Sequence, residues 1–243
     1  MQEKYEIEKY EWNATKFLFY EGKIFWLSPS VMEPKYESFF FEEHIKIKNG
    51  DAVLDLGTGT GFLAVLLSPK AKKVIATDIS PSAIKCARIN IFLNKADDKI
   101  TVLQGNLFEP AKNEKFDLIV TNPPQMPTPP ENKRHWDELS LADDGGTDGR
   151  VIVDEILYNV KNFLNPGGRF QMVHLGVIDV KKTMRILKNE GLKCCITAEI
   201  RCPLGRLTFE RKKYLESIGV KFELDERGVP LQNIRVVTAI KPQ

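Results

Sequence analysis

Long apolar runs are missing from this sequence of 243 residues, although 42% of its residues are hydrophobic. No run approaches the roughly 18 residues that a membrane-spanning helix needs. The first residues, Met1 to Tyr5, also lack the apolar stretch behind a basic start that marks a secretory signal peptide. The composition, with 28% charged residues, is typical of a water-soluble domain that buries a full core. We therefore expect a cytoplasmic protein.

Cysteine is scarce, and its spacing argues against a zinc site. The four cysteines, Cys86, Cys194, Cys195 and Cys202, lack the paired short spacings of such a site. Cys194 and Cys195 are adjacent, so they point to opposite faces if they lie on a strand. We expect reduced structural thiols and no metal ion.

A strong net charge is absent too, because 35 Lys and Arg residues nearly balance 33 Asp and Glu residues and leave a net charge of +2. A charge so close to zero creates no global field that would attract a polyanion, although a local basic patch can still do so. Nucleic acid is therefore permitted as a partner but is not indicated, and no membrane partner is expected. The sequence does not indicate an oligomeric state.

What the sequence does contain is an alternation of strand-like and helix-like segments, which is typical of a mostly parallel sheet with helices on both faces. Ser80 before Pro81 predicts a helix N-cap with proline in the first turn. The predicted strands lie near 52–56, 73–77, 100–104, 117–121, 168–174, 192–199 and 233–240. The predicted helices cover about 61–68, 81–93, 150–164 and 179–190. This order predicts an α/β fold built from successive βα units.

An N-terminal segment precedes this alternation. Lys16–Tyr20 and Lys23–Leu27 flank a Glu21-Gly22 turn, which predicts a hairpin. A helix is expected to follow, from about Pro34 to Ile47. The hairpin and the helix together occupy residues 1–49.

A small insertion is predicted between the last two strands, near residues 203–230. It contains a basic helical stretch, Phe209 to Leu215, and a short strand, Val220 to Leu224. The sequence shows no internal repeat and no low-complexity linker. We therefore expect a single domain over residues 1–243, with the catalytic core in residues 50–243.

A glycine loop closes the first strand of the core, in the order Asp55-Leu56-Gly57-Thr58-Gly59-Thr60-Gly61. Glycine lets the backbone turn tightly and approach a ligand that a side chain would obstruct. A dinucleotide fingerprint would have its third glycine at position 62, where Phe62 stands. Asp78 ends the second strand about 20 residues downstream, where a carboxylate can accept bonds from both ribose hydroxyls. The pattern indicates a nucleoside, unless the glycines only make a turn and Asp78 only caps the next helix.

These residues resemble the first motif of the class I S-adenosylmethionine-dependent methyltransferases, and the resemblance covers most of residues 50–175. It implies a Rossmann-like sheet of seven strands, the last antiparallel, and it implies S-adenosylmethionine as cofactor and S-adenosylhomocysteine as product. Asp78 would hold the ribose, and Asn106 would lie beside the adenine. Gly105 to Pro110 resembles the third motif of the family, in which aspartate is commoner than Asn106. The implied cofactor-binding residues are Asp55, Gly57, Thr58, Gly59, Gly61, Asp78, Ile79, Asn106, Leu107 and Asn122.

Asn122-Pro123-Pro124-Gln125 follows the fourth strand of the core and is the predicted catalytic segment. It suits a nitrogen whose lone pair is delocalised into a carbonyl or an aromatic ring. The side-chain oxygen of Asn122 and the carbonyl of Pro123 can accept both N–H bonds and orient the nitrogen for attack on a methyl group. Two prolines stiffen the loop and remove competing donors.

The segment resembles the Asn-Pro-Pro-aromatic motif of enzymes that methylate glutamine amides in proteins or exocyclic amines of nucleic-acid bases. Gln125 departs from that motif, in which the aromatic packs on the planar substrate. Trp26, Trp136 and Phe108 are candidates for the missing aromatic surface.

Two further stretches favour the glutamine branch, which includes the methyltransferases of peptide release factors. Pro34 to Ser38 resembles the Pro-x-x-Glu-Thr segment that opens their catalytic domain. Leu141 to Gly149 resembles the Gly-Gly-x-Asp-Gly segment that follows their Asn-Pro-Pro loop. The residues before the first core strand leave no room for the N-terminal helical domain of the bacterial enzymes, so substrate recognition is expected to differ.

We therefore predict an S-adenosylmethionine-dependent N-methyltransferase that acts on a glutamine amide of a protein. The enzyme alternative is a base amine on RNA or DNA, held by the basic stretch from Arg206 to Lys213, which is otherwise a solvated face. The other alternative is a cofactor-binding module without catalysis. A nicotinamide-dependent oxidoreductase is disfavoured by Phe62.

Three other features near the predicted crevice have a structural and a functional interpretation. His135 and Asp137 follow the proline-rich loop and are a candidate general base, or simply exposed. His174 ends the fifth core strand and is expected to be packed or hydrogen-bonded. Met126 to Pro130 is expected to form a stiff lip for the substrate, since its prolines cannot continue a central strand.

Overall fold

The computed structural model describes residues 7–12, 14–130 and 138–243. Its first part is an antiparallel three-stranded sheet in the order β1-β2-β3, followed by one helix. These elements are β1 (Glu8–Trp12), β2 (Thr15–Tyr20), β3 (Lys23–Leu27) and α1 (Tyr36–His44). The predicted hairpin is confirmed as β2 and β3. β1 was not predicted, and α1 is shorter than expected at both ends.

The rest of the chain alternates strands and helices around a central sheet. The first half contains β4 (Ala52–Leu56), α2 (Phe62–Leu67), β5 (Lys73–Asp78), α3 (Pro81–Leu93), β6 (Ile100–Gln104), β7 (Phe116–Thr121) and α4 (Glu138–Asp143). The second half contains α5 (Val151–Asn159), β8 (Leu164–Leu175), α6 (Val180–Asn189), β9 (Lys193–Pro203), α7 (Arg206–Glu210), α8 (Lys212–Ser217), β10 (Glu223–Leu224) and β11 (Pro230–Ile240).

The strand order of the central sheet is β9-β11-β8-β7-β4-β5-β6, and the two-residue β10 also pairs with β11. The pairs β4–β5, β5–β6, β4–β7 and β7–β8 are parallel, whereas β11 is antiparallel to β8 and β9. The seven expected strands and the antiparallel last strand are confirmed, and β10 makes the sheet eight-stranded. Because β4 to β8 are parallel, their carboxyl ends meet at one edge.

Local sequence signals explain where several elements begin and end. Ser80 caps α3 by accepting a hydrogen bond from the backbone N–H of Ala83 at 3.1 Å, with Pro81 in the first turn. Asp179 caps α6 in the same way. The helix predicted over 150–164 ends at Asn159, and a 3₁₀ turn over Val160–Phe163 follows it. The basic stretch is divided at Arg211 into α7 and α8.

The core has two apolar layers, one on each face of the sheet, and all five residues of β4 are buried between them. Val53 belongs to one layer and Leu54 to the other, because successive side chains of a strand point to opposite faces. The first layer joins the N-terminal sheet and α1 to α2 through the rings of Phe25, Phe39 and Phe62. The second layer packs α5 and α6 on the sheet. None of the helices in the described ranges is long and apolar enough to cross a membrane.

Candidate active site

The predicted motifs lie at the same edge of the sheet, each just after the carboxyl end of a parallel strand. The glycine loop follows β4, Asp78 ends β5, Asn106 follows β6 and Asn122 follows β7. Thr121 joins two of these loops, because its hydroxyl donates a hydrogen bond of 2.7 Å to the carbonyl of Leu56. Open α/β sheets bind ligands at this edge.

The glycine loop is shaped by a buried carboxylate. Asp55 Oδ2 accepts hydrogen bonds from the hydroxyl of Thr58 at 2.6 Å and from the backbone N–H of Ala64 at 3.1 Å. Gly57 and Gly59 have φ values of 76° and 54°, and a Cβ on either would meet only open space. The loop therefore exposes bare backbone on the side where a ligand would lie.

Burial also changes the acidity of Asp55, which is only 2% exposed. Desolvation raises the pKa of Asp55 to about 6, against the lowering effect of the bonds from Thr58 and Ala64. The negative charge of Asp78 contributes further to this rise. A positively charged ligand at this edge would favour the ionised form of Asp55.

Asp78 joins the glycine loop to the start of α3. Its Oδ2 accepts the backbone N–H of Gly59 at 2.9 Å, and its Oδ1 accepts that of Ser80 at 3.0 Å. The capping of α3 itself is done by the Ser80 hydroxyl. A carboxylate has about four lone-pair sites and can accept more than two hydrogen bonds. Beside Asp78, Ile79 is an apolar residue that is 54% exposed.

The third motif extends this surface after β6. Asn106 is exposed, and Leu107 adopts a left-handed backbone with a φ of 43°. The carbonyl of Leu107 accepts a hydrogen bond from the Thr77 hydroxyl at 3.3 Å, which fixes the turn against the end of β5.

The residues after β7 divide into bonded and unbonded side chains. Asn122 is half-buried, and its amide makes no hydrogen bond to the residues that the structure describes. Gln125 is only 2% exposed, and its amide is bonded to the backbone of β8. Of the two side-chain amides in this segment, that of Asn122 is therefore the one left for a ligand.

The glycine-rich segment over 145–149 holds the Asn-Pro-Pro loop from behind. A Cβ on Gly149 would lie 2.5 Å from the carbonyl oxygen of Gln125, and one on Gly145 would lie 2.9 Å from its Cα. Met126 and Asp144 form a parallel bridge between the two segments. The two glycines are therefore required by a close approach of two backbones.

The insertion supports the same loops, which the sequence had not indicated. Arg211, between α7 and α8, is only 8% exposed and donates hydrogen bonds to the carbonyl of Pro127 at 3.1 Å and the hydroxyl of Thr128 at 2.8 Å. The Tyr214 hydroxyl donates one of 2.8 Å to the carbonyl of Thr147. These partners are distant in sequence, so no local signal marks them.

The basic stretch is therefore not a continuous positive face of the kind that would hold a nucleic acid. Arg211 is buried, and Arg206 and Lys212 form ion pairs with Glu210 and Glu216 on their own helices.

The predicted substrate lip, Met126 to Pro130, is largely buried. Met126 to Pro129 are buried, so the lip is reduced to the exposed Pro130.

The other residues that the sequence singled out are packed against neighbouring side chains or lie outside the described residues. Phe108 is buried and stacks on Phe163 with ring centroids 4.4 Å apart. The prediction that it is a candidate for the missing aromatic surface is therefore wrong. Trp26 is half-buried and packs against the cluster of Val31, Ala83 and Cys86. Trp136, His135 and Asp137 lie outside the described residues.

His174 is packed and hydrogen-bonded, as expected. It is fully buried, and its Nε2 lies 3.1 Å from the hydroxyl of Thr183. Burial, and then the positive charges of Arg150 and Arg235, lower the pKa of His174 to about 3. The imidazole is therefore neutral at neutral pH.

Comparisons with known proteins find a family model and individual relatives that match this chain. The model of the "Methyltransferase small domain" family matches residues 35–138. A Methanocaldococcus jannaschii protein, named as a candidate protein N5-glutamine methyltransferase, is 37% identical over 189 residues, which are 77% of this chain and 93% of that protein. The release factor glutamine methyltransferase of Geobacter sulfurreducens is 34% identical over 73% of this chain and 64% of its own length.

Solved structures show the same fold at lower identity. The tRNA m1G37 methyltransferase of M. jannaschii superposes with a TM-score of 0.62 at 16% identity, covering 94% of this chain and 57% of that one. At this identity the likeness concerns the fold alone.

Proposed function

Because the chain belongs to the class I methyltransferase family that contains the protein glutamine N-methyltransferases, we propose that it transfers a methyl group from S-adenosylmethionine to the side-chain amide nitrogen of a glutamine in a protein. The chain matches the M. jannaschii relative over 93% of that relative's length. We propose that residues 1–243 form a single domain, that the protein is cytoplasmic and that its substrate is a protein.

The residues at the sheet edge fit this cofactor. Gly57 and Gly59 present bare backbone with open space at their Cα atoms, which suits the methionine part. The carboxylate of Asp78 is an acceptor of the kind that ribose hydroxyls need, and the exposed Ile79 offers an apolar face beside it. Further contacts are proposed from Asp55, Thr58, Gly61, Asn106, Leu107 and Asn122. When bound, S-adenosylmethionine supplies an electrophilic methyl group on a positively charged sulfur, which transfer leaves as a neutral thioether.

The observation that carries the proposal is the amide of Asn122 at the end of β7, which makes no hydrogen bond to any described residue. We propose that its Oδ1 and the carbonyl of Pro123 each accept one N–H of the substrate amide. Two acceptors fix the plane of that amide and stabilise the positive charge that develops on nitrogen as it forms the new N–C bond. The nitrogen then releases one proton to solvent, so the product is a neutral N-methyl amide.

The surroundings of Asn122 favour a glutamine amide over a nucleic-acid base. Enzymes that act on an extruded base stack it between aromatic or apolar side chains. Here the fourth residue of the motif, Gln125, is buried and bonded to β8, and Phe108 is buried against Phe163. An aliphatic amide is a smaller planar group that needs no such platform. The names of both relatives also specify glutamine.

The test is to incubate the protein with methyl-labelled S-adenosylmethionine and the separated protein, RNA and DNA fractions of a cell extract. We expect protease-sensitive label in the protein fraction, and mass spectrometry should find it on the side-chain nitrogen of glutamine. Label confined to nuclease-sensitive material would replace the proposal by base methylation. Binding of S-adenosylhomocysteine without transfer to any fraction would instead indicate a non-catalytic module.

A further inference from the structure

We propose that Gln125 is a positioning residue whose side-chain amide fixes the Asn122–Pro124 loop to β8. It thereby sets the direction of the Asn122 amide and of the Pro123 carbonyl. This role rests on the proposed function, because those two groups are the ones proposed to hold the substrate amide. Gln125 itself contacts neither substrate nor cofactor in this proposal.

The geometry of the bonds imitates a continued strand. Gln125 Oε1 accepts the backbone N–H of Leu175 at 2.8 Å, and its Nε2 donates to the carbonyl of Val173 at 3.1 Å. In a parallel ladder, one residue bonds the carbonyl before and the N–H after the residue opposite it. The side-chain amide of Gln125 makes this pattern opposite His174.

The sequence of the loop explains why a side chain must do this. The ladder between β7 and β8 ends with Thr121 opposite Met172, so the next positions would place Pro123 opposite His174. Proline has no N–H to donate, and β7 therefore cannot satisfy the carbonyl of Val173. The amide of Gln125 supplies both the missing donor and the missing acceptor. A phenylalanine at this position could supply neither.

The same amide also contacts a group that is proposed to hold the substrate. Gln125 Nε2 lies 3.4 Å from the carbonyl oxygen of Pro123, at the long end of hydrogen-bond distances. On the other side, the carbonyl of Gln125 is closely packed by Gly149. The loop is thus fixed from two directions. Displacement of a positioned group by about 1 Å is enough to lower a reaction rate about 100-fold.

Gln171 provides a matched control, because it lies on β8, the strand to which Gln125 is bonded. It is fully buried, and its amide accepts the backbone N–H of Lys46 at 2.7 Å and donates to the hydroxyl of Thr238 at 3.0 Å. It thus fixes the segment after α1, away from the Asn-Pro-Pro loop. Both Gln125→Leu and Gln171→Leu should lower the melting temperature. Only Gln125→Leu should change the chemistry.

The experiment measures initial rates of methyl transfer from labelled S-adenosylmethionine to the protein fraction of a cell extract, over a range of extract concentrations, at a temperature where each variant is folded. For Gln125→Leu we expect kcat to fall roughly tenfold to a hundredfold. The apparent KM and the affinity for S-adenosylhomocysteine should stay within about threefold of the wild type, since the variant alters orientation and not binding. Gln171→Leu should keep the wild-type kcat.

Gln125→Glu tests the same role if the leucine variant does not fold. The glutamate keeps an acceptor for Leu175, but its ionised form faces the carbonyl of Val173 without a proton to donate. Protonation restores the donor, so the kcat of this variant relative to wild type should rise as pH falls. A folded Gln125→Leu with kcat within twofold of wild type, or a pH-independent ratio for Gln125→Glu, would overturn the positioning role. If the wild type itself transfers nothing to the protein fraction, the proposed function fails first and this role fails with it.

Discussion

At the end of β7, the side-chain amide of Asn122 makes no hydrogen bond to any described residue, whereas that of Gln125 is bonded to β8. We expect Asn122→Ala to lower kcat by roughly 100-fold or more, because one preorganised polar partner supplies about 2.7–4 kcal/mol in the transition state. Affinity for S-adenosylhomocysteine, measured by isothermal titration, should change far less. Asn122→Asp keeps one acceptor oxygen and should retain partial activity. A wild-type transfer rate in Asn122→Ala would refute the mechanism.

Asp78 is expected to carry cofactor affinity. Asp78→Ala removes a charged acceptor and also the two bonds that join the glycine loop to the start of α3. A hydrogen bond to a charged group contributes about 1.5–3 kcal/mol, or roughly a tenfold to hundredfold loss of affinity for S-adenosylhomocysteine. Asp117 is the control, since it bonds the N–H of Ala52 at 2.9 Å at the opposite end of the strands. Asp117→Ala should lower stability and leave that affinity unchanged.

Asp55 makes stability depend on pH. Its pKa in the folded state, about 6, lies above the usual value, so the folded protein holds a proton that the unfolded chain releases. This contribution to stability is fully present below about pH 4 and is lost as the pH rises through about 6, with a size on the order of 3 kcal/mol. Asp55→Asn should abolish this loss. The measurement is urea unfolding of both proteins between pH 4 and 7, and parallel pH profiles would contradict the assignment.

Among the secondary-structure elements, the pair α7 and α8 has the most unexpected position, because it braces the segment after the Asn-Pro-Pro-Gln motif through Arg211. Arg211→Met keeps an unbranched apolar stem but removes the guanidinium, so it leaves a buried carbonyl and hydroxyl without their donor, at a cost of about 1–3 kcal/mol. We expect lower thermal stability and a roughly tenfold lower kcat, since the loop is loosened. Arg206→Met, on an exposed side chain of the same insertion, should change neither. Equal effects of both variants would show that the brace does not reach the site.

At the scale of the whole molecule, the N-terminal sheet and the central sheet share one apolar layer. Phe25 of β3 is fully buried, its ring lies 5.2 Å from that of Phe62, and Asn90 of α3 bonds the backbone of β3. Phe25→Ala should therefore destabilise the entire domain by about 3–5 kcal/mol, in one cooperative transition. Phe19, which is 38% exposed, is the control, and its alanine variant should cost much less. Separate transitions for the two sheets would contradict a single domain.

The sequence by itself determined the positions of the seven core strands along the chain, the bounds of α3 and the motifs at the strand ends. These features depend on local causes: apolar periodicity, the Ser80-Pro81 cap, and glycines that allow left-handed turns. β1 escaped prediction because all five of its residues are exposed and carry no burial pattern.

Only the tertiary structure decided what the long-range partners do. Arg211 and Pro127 are 84 residues apart, and Gln125 and Leu175 are 50 apart, so no pattern within a short window could reveal these bonds. Phe108 is an aromatic residue of the kind that can form a substrate platform, but it packs against Phe163 in the core. A side chain is available to a ligand only if no distant group of the same chain has already buried it or bonded it, and that is settled when the chain packs.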